Sequence, residues 1–372
     1  MYKNIGTKYS FIILCLLTFL LLSFGIYSCN SSASAREFEK VKNSASIEML
    51  SQFIQEYPNA DQTTEAEKIR NQLIFDSISD INKVETYEEF IQKHPDAEQI
   101  EAAKQKIEDL KGLSAVISTF RGNSERNYYG NKCPSKLDEI WTSNMGAGKS
   151  FAYGKMYVWT GAGWTGQPLI VTEDTKTYII QGCFDYHLKK IDADNGKLIW
   201  KYKFDDIIKG TGTIYINKKA ENKDEQVLIM QGSRRGEGIS SKSGVVPSFR
   251  AVSYFSGKEL WRMNSKKTPC YSRDVDASAA ILGDTAYIGL ENGIFTVFDP
   301  NPVNAEQRDG ILQPKLYKET NLWTEDDLRA HGGNIVAESS PTIFNGKVYI
   351  VSGSGHVYGY NLETKKVDWD FT

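Results

Sequence analysis

"DADNGKLIW", residues 192–200, sets an acidic turn with Asn195-Gly196 ahead of a lysine, two aliphatics and a tryptophan. "FSGKELW" (255–261) and "LETKKVDW" (362–369) repeat the plan. Asn-Gly and Ser-Gly supply positive φ at low cost, so they turn the chain tightly into a following strand. Lys365 stands where the other copies carry glycine, which predicts a type I turn in the last copy. Around each copy, short aromatic and β-branched runs alternate with Gly, Asn and Asp turns. "SAAILGDTAYIGLENGIFTVFDP" (278–300) and "SPTIFNGKVYIVSGSGHVYGYNL" (340–362) are examples. Each unit reads as an antiparallel sheet of about four strands, with the tryptophan strand last. Trp200, Trp261 and Trp369 then hold one place in successive sheets, where a flat side chain can wedge against a neighbour. Radial repetition of such sheets gives a β-propeller.

At this level of detail the stretch "AESSPTIFNGKVYIVSGSGHVYGYNLETKKVDW" (337–369) resembles the repeat of the pyrroloquinoline-quinone-like propellers, with their tryptophan-docking motif. "TFRGNSERNYYG" (119–130) followed by Trp141 is similar to the way such propellers begin, with a stretch that supplies an outer strand. "MYVWTGAGWTGQPLIV" (156–171) then opens the first full blade. The resemblance covers residues 113–372 and assigns docking roles to Trp141, Trp200, Trp261, Trp323 and Trp369. These mark about four blades plus an N-terminal strand, whereas the family closes with about seven or eight. The expectation is therefore an incomplete propeller from a longer gene product, with a compact smaller propeller as the alternative. The fold class is mainly β, a quinoprotein-like β-propeller preceded by a small α-helical segment.

That segment spans residues 36–112. "FIQEYPNADQTTEAEKIRNQL" (53–73) recurs as "FIQKHPDAEQIEAAKQKIEDL" (90–110). In each copy a helix is expected to end near Tyr57-Pro58 or His94-Pro95, because proline cannot continue it. Ala66, Ile69 and Leu73, and then Ala103, Ile107 and Leu110, recur at helical spacing. The pattern resembles tetratricopeptide-like repeats, which stack helical hairpins. Either a protein-binding surface or a spacer between membrane and propeller fits it.

Upstream, Lys3 and Lys8 precede the apolar run "FIILCLLTFLLLSFGIY" (11–27), which ends at Ser28-Cys29. The polar "NSSASA" (30–35) follows. A basic end, an apolar core and a small residue before the cut describe a secretory signal. "IYSC" (26–29) resembles a bacterial lipobox, which implies a lipoprotein signal peptide over residues 1–29, cut before Cys29 so that the acylated cysteine becomes the new N-terminus, with 30–35 as a tether. Asn30 after the cysteine, by resemblance to Gram-negative lipoproteins, implies the outer membrane facing the periplasm. An uncleaved anchor is the alternative, since the run nears spanning length.

The chemistry of the remainder is sparse. Net charge is −3, which gives no reason to expect nucleic acid. The five cysteines include no CxxC, and Cys133, Cys183 and Cys270 are isolated. His187, His331 and His356 are scattered, so no metal site is expected. No nucleophile elbow, P-loop or dinucleotide fingerprint is present. Asp274 and Asp276 in "RDVDAS" (273–278), and Asn334 and Glu338 in "HGGNIVAES" (331–339), immediately precede a blade's first strand and so face a channel mouth. They read as calcium ligands, which need six to eight oxygens, or as acids paired with Arg273 or Arg329. Arg273 and His331 flank them. Arg234-Arg235, in the glycine-rich insertion "GSRRGEGISSKSG" (232–244), suit an anion or simple solvation. Trp159 and Trp164 lie among glycines and suit stacking on a sugar or quinone, or packing at the opening of the first blade.

The reading that follows is a non-catalytic envelope lipoprotein. Its propeller would hold other envelope proteins, and its anchor the membrane. It resembles the propeller lipoprotein of the outer-membrane β-barrel assembly machinery, which implies a role in outer-membrane protein assembly and no cofactor. The rival is a periplasmic dehydrogenase for alcohols or sugars that carries pyrroloquinoline quinone and calcium. A third reading is a carbohydrate-binding or sensor module using Trp159 and Trp164.

Overall fold

A computed structural model describes residues 33–372 except 82, 111, 129, 131–133, 153, 164–165, 218, 237 and 241. Cys29, Cys133 and Trp164 therefore lie outside the described residues. The chain divides into two units, Met1–Gly112 and Leu113–Thr372.

The first unit is helical. Helix α1 (33–42) is followed by α2 (Ile47–Glu56), α3 (Thr63–Ile81), α4 (Val84–Lys93) and α5 (Ile100–Leu110). Ser46 caps α2 by accepting a hydrogen bond from the Met49 amide. Helix α2 ends at Glu56 with Tyr57 as cap, and α4 ends at Lys93 with His94 as cap, one residue before proline in each case. The Phe53–Tyr57 and Phe90–His94 ring pairs share a centroid separation of 5.2 Å, so the two copies are built alike. Phe38, Leu50, Phe53 and Ala66 form one core, and Tyr87, Phe90, Ala103 and Ile107 form another.

The second unit is a mainly β, propeller-type arrangement of antiparallel sheets. Strand β1 (Leu113–Ile117) precedes a hairpin of β2 (Ala147–Ala152) and β3 (Lys155–Thr160). Blade one contains β4 (Leu169–Glu173), β5 (Lys176–Gly182), β6 (His187–Asp192) and β7 (Leu198–Lys203), and β1 pairs beside β4. Blade two contains β8 (Thr213–Ile216), β9 (Val227–Gly232), β10 (Phe249–Ser253) and β11 (Glu259–Met263), with a short α6 (Lys223–Gln226) before β9. Blade three has β12 (Ala280–Leu282), β13 (Thr285–Gly289) and β14 (Ile294–Asp299). A small hairpin of β15 (Glu306–Arg308) and β16 (Ile311–Gln313) intervenes before its last strand, β17 (Lys315–Asn321). Helix α7 (Glu325–His331) leads to blade four: β18 (Thr342–Phe344), β19 (Lys347–Val351), β20 (Val357–Asn361) and β21 (Lys366–Phe371). Apolar clusters fill the three junctions between successive blades.

Tryptophans bridge two of these junctions, and Trp141 makes the same contact onto blade one. The indole Nε1 of Trp141 donates to Ala193 O, that of Trp200 to Tyr254 O and that of Trp261 to Pro300 O, at 2.8, 2.8 and 2.9 Å. Trp200, Trp261 and Trp369 each sit at a bulge in the last strand, opposite Lys190, Ala251 and Gly359. The equivalent bulge in blade three lies at Val297/Phe298 and puts Lys318 in that place. Lys318 Nζ donates to Lys365 O, the turn of blade four. Trp323, expected to dock, instead follows β17 and packs near Gly293 with Cys270, Leu328 and Ile335. Lys365 also corrects an expectation. It keeps a φ of 55°, close to the 72° of Gly196 and Gly257, so the turn survives without glycine.

The start of the unit differs from its expected role as an outer strand. Strand β1 lies beside the first strand of blade one, and residues 118–126 cross the first strands of the other three blades. Ile214 N donates to Ser118 O, Ile281 N to Ser124 Oγ and Ile343 N to Ser124 O. Exposed strand edges invite unwanted pairing, and this segment covers them. Arg126 fixes it by donating to the carbonyls of Phe120, Ser278, Ala279 and Pro341. Burial lowers its guanidinium to about 10.

Candidate functional site

The segments that precede β8 and β12 converge because glycine permits it. A Cβ on Gly210 would lie 2.0 Å from the Asp276 carbonyl oxygen. This approach sets Lys209 against Asp276, which form an ion pair. Nearby, Arg234 Nε donates to Asp274 Oδ2 at 2.8 Å and its Nη1 donates to Ser150 Oγ at 2.9 Å. The Arg235 amide donates to Asp274 Oδ1 at 3.0 Å. Glu291, in the turn between β13 and β14, is 3% exposed, and its Oε2 accepts a hydrogen bond from Ser272 Oγ at 2.5 Å. Lys209, Arg234, Arg235, Ser272, Asp274 and Glu291, together with Phe151, Trp159, Tyr271 and Glu338, line a cavity of about 400 Å³. A second cavity of about 390 Å³, lined by Arg121, Arg126, Asp276 and Glu338, adjoins it.

Burial governs the electrostatics. It raises Glu291 well above the usual carboxylate range, and the charges of Asp276 and Asp274 add to the effect. Burial also pushes Asp276 up to about 6, against the opposing pull of Lys209. For Lys209, burial acts downward, but Asp276 and Glu291 outweigh it and hold the ammonium above its ordinary value. Of the buried side-chain polar atoms without a hydrogen-bond partner among the described residues, three belong to residues that line these cavities: Glu291 Oε1, Asp276 Oδ1 and Trp159 Nε1.

The residues singled out in the sequence separate here. Trp159, Arg234, Arg235, Asp274 and Glu338 meet at the first cavity, and Asp276 lies at the second. Asp274 pairs with Arg234 rather than Arg273. Arg273 turns away, donating to the carbonyls of Ser243 and Ser265. Arg329 pairs with Asp326 in α7. His331 and Asn334 are exposed, and neither lines the cavities. Cys183 and Cys270 are buried free thiols. Lys209, Glu291, Ser272, Phe151 and Tyr271 are site residues that the sequence did not single out. Glu291 lies in a turn with the sequence of an ordinary exposed loop, "LENG", and only the long-range approach of Lys209 and Ser272 distinguishes it.

A family model for the outer membrane protein assembly factor BamB matches residues 138–370. The chain belongs to that family. Among solved structures, BamB from Moraxella catarrhalis is similar at 15% identity with a TM-score of 0.37, over 69% of this chain and 64% of that one. The chain thus spans under two thirds of that protein's length. The quinohemoprotein alcohol dehydrogenase ADHIIG of Pseudomonas putida HK5 is similar at 14% identity with a TM-score of 0.42, over 74% and 42% of the two chains. The computationally designed Ika4 protein is similar at 12% identity with a TM-score of 0.30, over 50% and 85%. No curated protein matches in sequence.

The carboxylates at the cavity are engaged in ways that compete with calcium binding. Calcium needs six to eight oxygens, largely from ionised carboxylates. Asp274 and Asp276 are already neutralised by Arg234 and Lys209, and burial favours the protonated form of Glu291. Among the described residues no cluster of three or more His, Cys, Asp or Glu side chains could hold a metal ion.

Proposed function

We propose that this chain is a non-catalytic envelope scaffold that holds other proteins during outer-membrane protein assembly. Membership of the assembly-factor family supports this reading. The observation that carries it is the β2–β3 hairpin. Among the described strands, β3 pairs only with β2, while the Tyr186 hydroxyl bonds both the amide and the carbonyl of Lys149 in β2. Phe151, Met156, Tyr157 and Val158 are 50, 49, 42 and 66% exposed. An unpaired strand edge that carries apolar side chains is a template for adding a partner strand, with main-chain hydrogen bonds giving affinity. Acylation of Cys29 would tether the scaffold to the outer membrane, facing the periplasm. Among the described residues no helix is long and apolar enough to cross a membrane.

The test is rescue of a strain that lacks the gene, scored by the level of folded β-barrel proteins in its outer membrane. Wild type should restore that level, and the double variant Tyr157→Asp, Val158→Lys should not, with an unchanged Tm. Full rescue by the double variant would refute the role of the hairpin.

A further inference from the structure

The cavity lined by Trp159 and Glu291 is a built site with unmet bonding capacity. Trp159 Nε1 can only donate a hydrogen bond, and it is buried without an acceptor. Glu291 is 3% exposed, with Oε1 unpartnered and Oε2 taken by Ser272. Leaving such groups unmet destabilises a folded interior, so buried polar atoms are normally satisfied by protein, water or ligand. Both residues line the same space of about 400 Å³, within the range of small-molecule sites.

The chemistry of the walls narrows the occupant. Arg234 is paired with Asp274 and Lys209 with Asp276, so these two cations are already met within the protein. Arg235 and Glu338, of opposite sign, complete the balance of charge. Hydroxyls suit both orphan groups, since one can accept from the indole and another can donate to or accept from the carboxyl. Phe151 and Tyr271, 50 and 57% exposed, offer flat apolar surface to the C–H face of a ring. We propose that this cavity binds a neutral saccharide of one or two rings, held between the aromatic side chains and hydrogen-bonded to Trp159 Nε1 and the Glu291 carboxyl. Burial shifts that carboxyl toward its neutral form, which has both a donor and an acceptor, so Glu291→Gln preserves that capacity and Glu291→Leu removes it.

The experiment titrates the full chain, in a detergent without a sugar headgroup, with glucose, N-acetylglucosamine and maltose. Acetate and choline serve as charged controls. Tryptophan fluorescence and calorimetry are read together. Saturable binding of at least one sugar is expected. Trp159→Phe and Glu291→Leu should weaken it about three- to tenfold, and Glu291→Gln should leave it close to wild type. Binding of none of the sugars, preference for acetate or choline, or undiminished affinity in both weakening variants would each overturn the proposal. Far-ultraviolet circular dichroism and Tm identify any variant that fails to fold. If Glu291→Leu does, Trp159→Phe decides.

Discussion

Replacing Trp261 by alanine should cost far more stability than replacing Trp369, although the two residues hold the same place in their blades. Trp261 is 1% exposed, packs against Phe249 and Phe298 at centroid distances of 5.9 Å each, and donates to Pro300 O. Truncating a buried tryptophan costs about 3–5 kcal/mol through lost transfer energy and the cavity left behind. Orphaning the Pro300 carbonyl adds about 1 kcal/mol. Trp369 is 41% exposed, and its ring meets Phe371 and Tyr349 of its own blade. Its truncation should cost about 1 kcal/mol, because much of its surface is in water already. Urea denaturation would show the Trp261→Ala midpoint falling by several times the Trp369→Ala shift at unchanged slope. In a unit of this size the Tm of Trp261→Ala should drop by roughly 10 °C or more. Trp261→Phe should fall between the two alanine variants, since it keeps one aromatic ring but loses the donor and part of the buried volume. Equal losses for the two alanine variants would refute the reasoning, because they would mean that the outer face of blade four is buried as deeply as the inner junctions.

Lys365→Gly should stabilise the chain by about 0.5–1 kcal/mol, because Lys365 holds a φ of 55° that glycine adopts freely, while the carbonyl that accepts from Lys318 is retained; denaturation midpoints would show it. His356 sits with Nδ1 at 2.7 Å from Asp370 of β21 and Nε2 at 3.2 Å from Asp327 of α7, with its ring stacked on Tyr358. The hydrogen bond to Asp370 raises its pKa above 6.5, so its contribution is fully present below that value and is lost as pH rises through the folded-state pKa. The Tm gap between wild type and His356→Gln should therefore be larger at about pH 6 than at about pH 9, and a gap that widened toward alkali would contradict the assignment. Cys29→Ala should abolish incorporation of labelled palmitate and release the protein from membranes, and continued labelling would place the acyl group elsewhere.

What the sequence reveals follows the range of the interactions. Hairpin turns and the tryptophans that follow them are local, so Trp200 and Trp261 are legible from "NGKLIW" and "SGKELW". Trp323 misleads because residue type alone cannot give register. The bulge at Val297/Phe298 puts Lys318 in the docking place, five residues earlier in the chain. The 118–126 segment misleads for a related reason. Arg126 is recognisable as a staple only through carbonyls of Ser278, Ala279 and Pro341, contributed by distant blades. At the cavity, Asp274 and Asp276 announce themselves by preceding a first strand. Glu291 and Lys209 become site residues only when Gly210 lets two backbones meet.

The central claim, that the free edge of β3 holds a partner in outer-membrane assembly, is tested most directly by a photoreactive amino acid placed at Tyr157 in living cells. Irradiation should join the chain to a component of the outer-membrane assembly machinery, identified by mass spectrometry, and the same group at the exposed Lys203 should not. Absence of that adduct from Tyr157, or an equal yield from both positions, would contradict the claim.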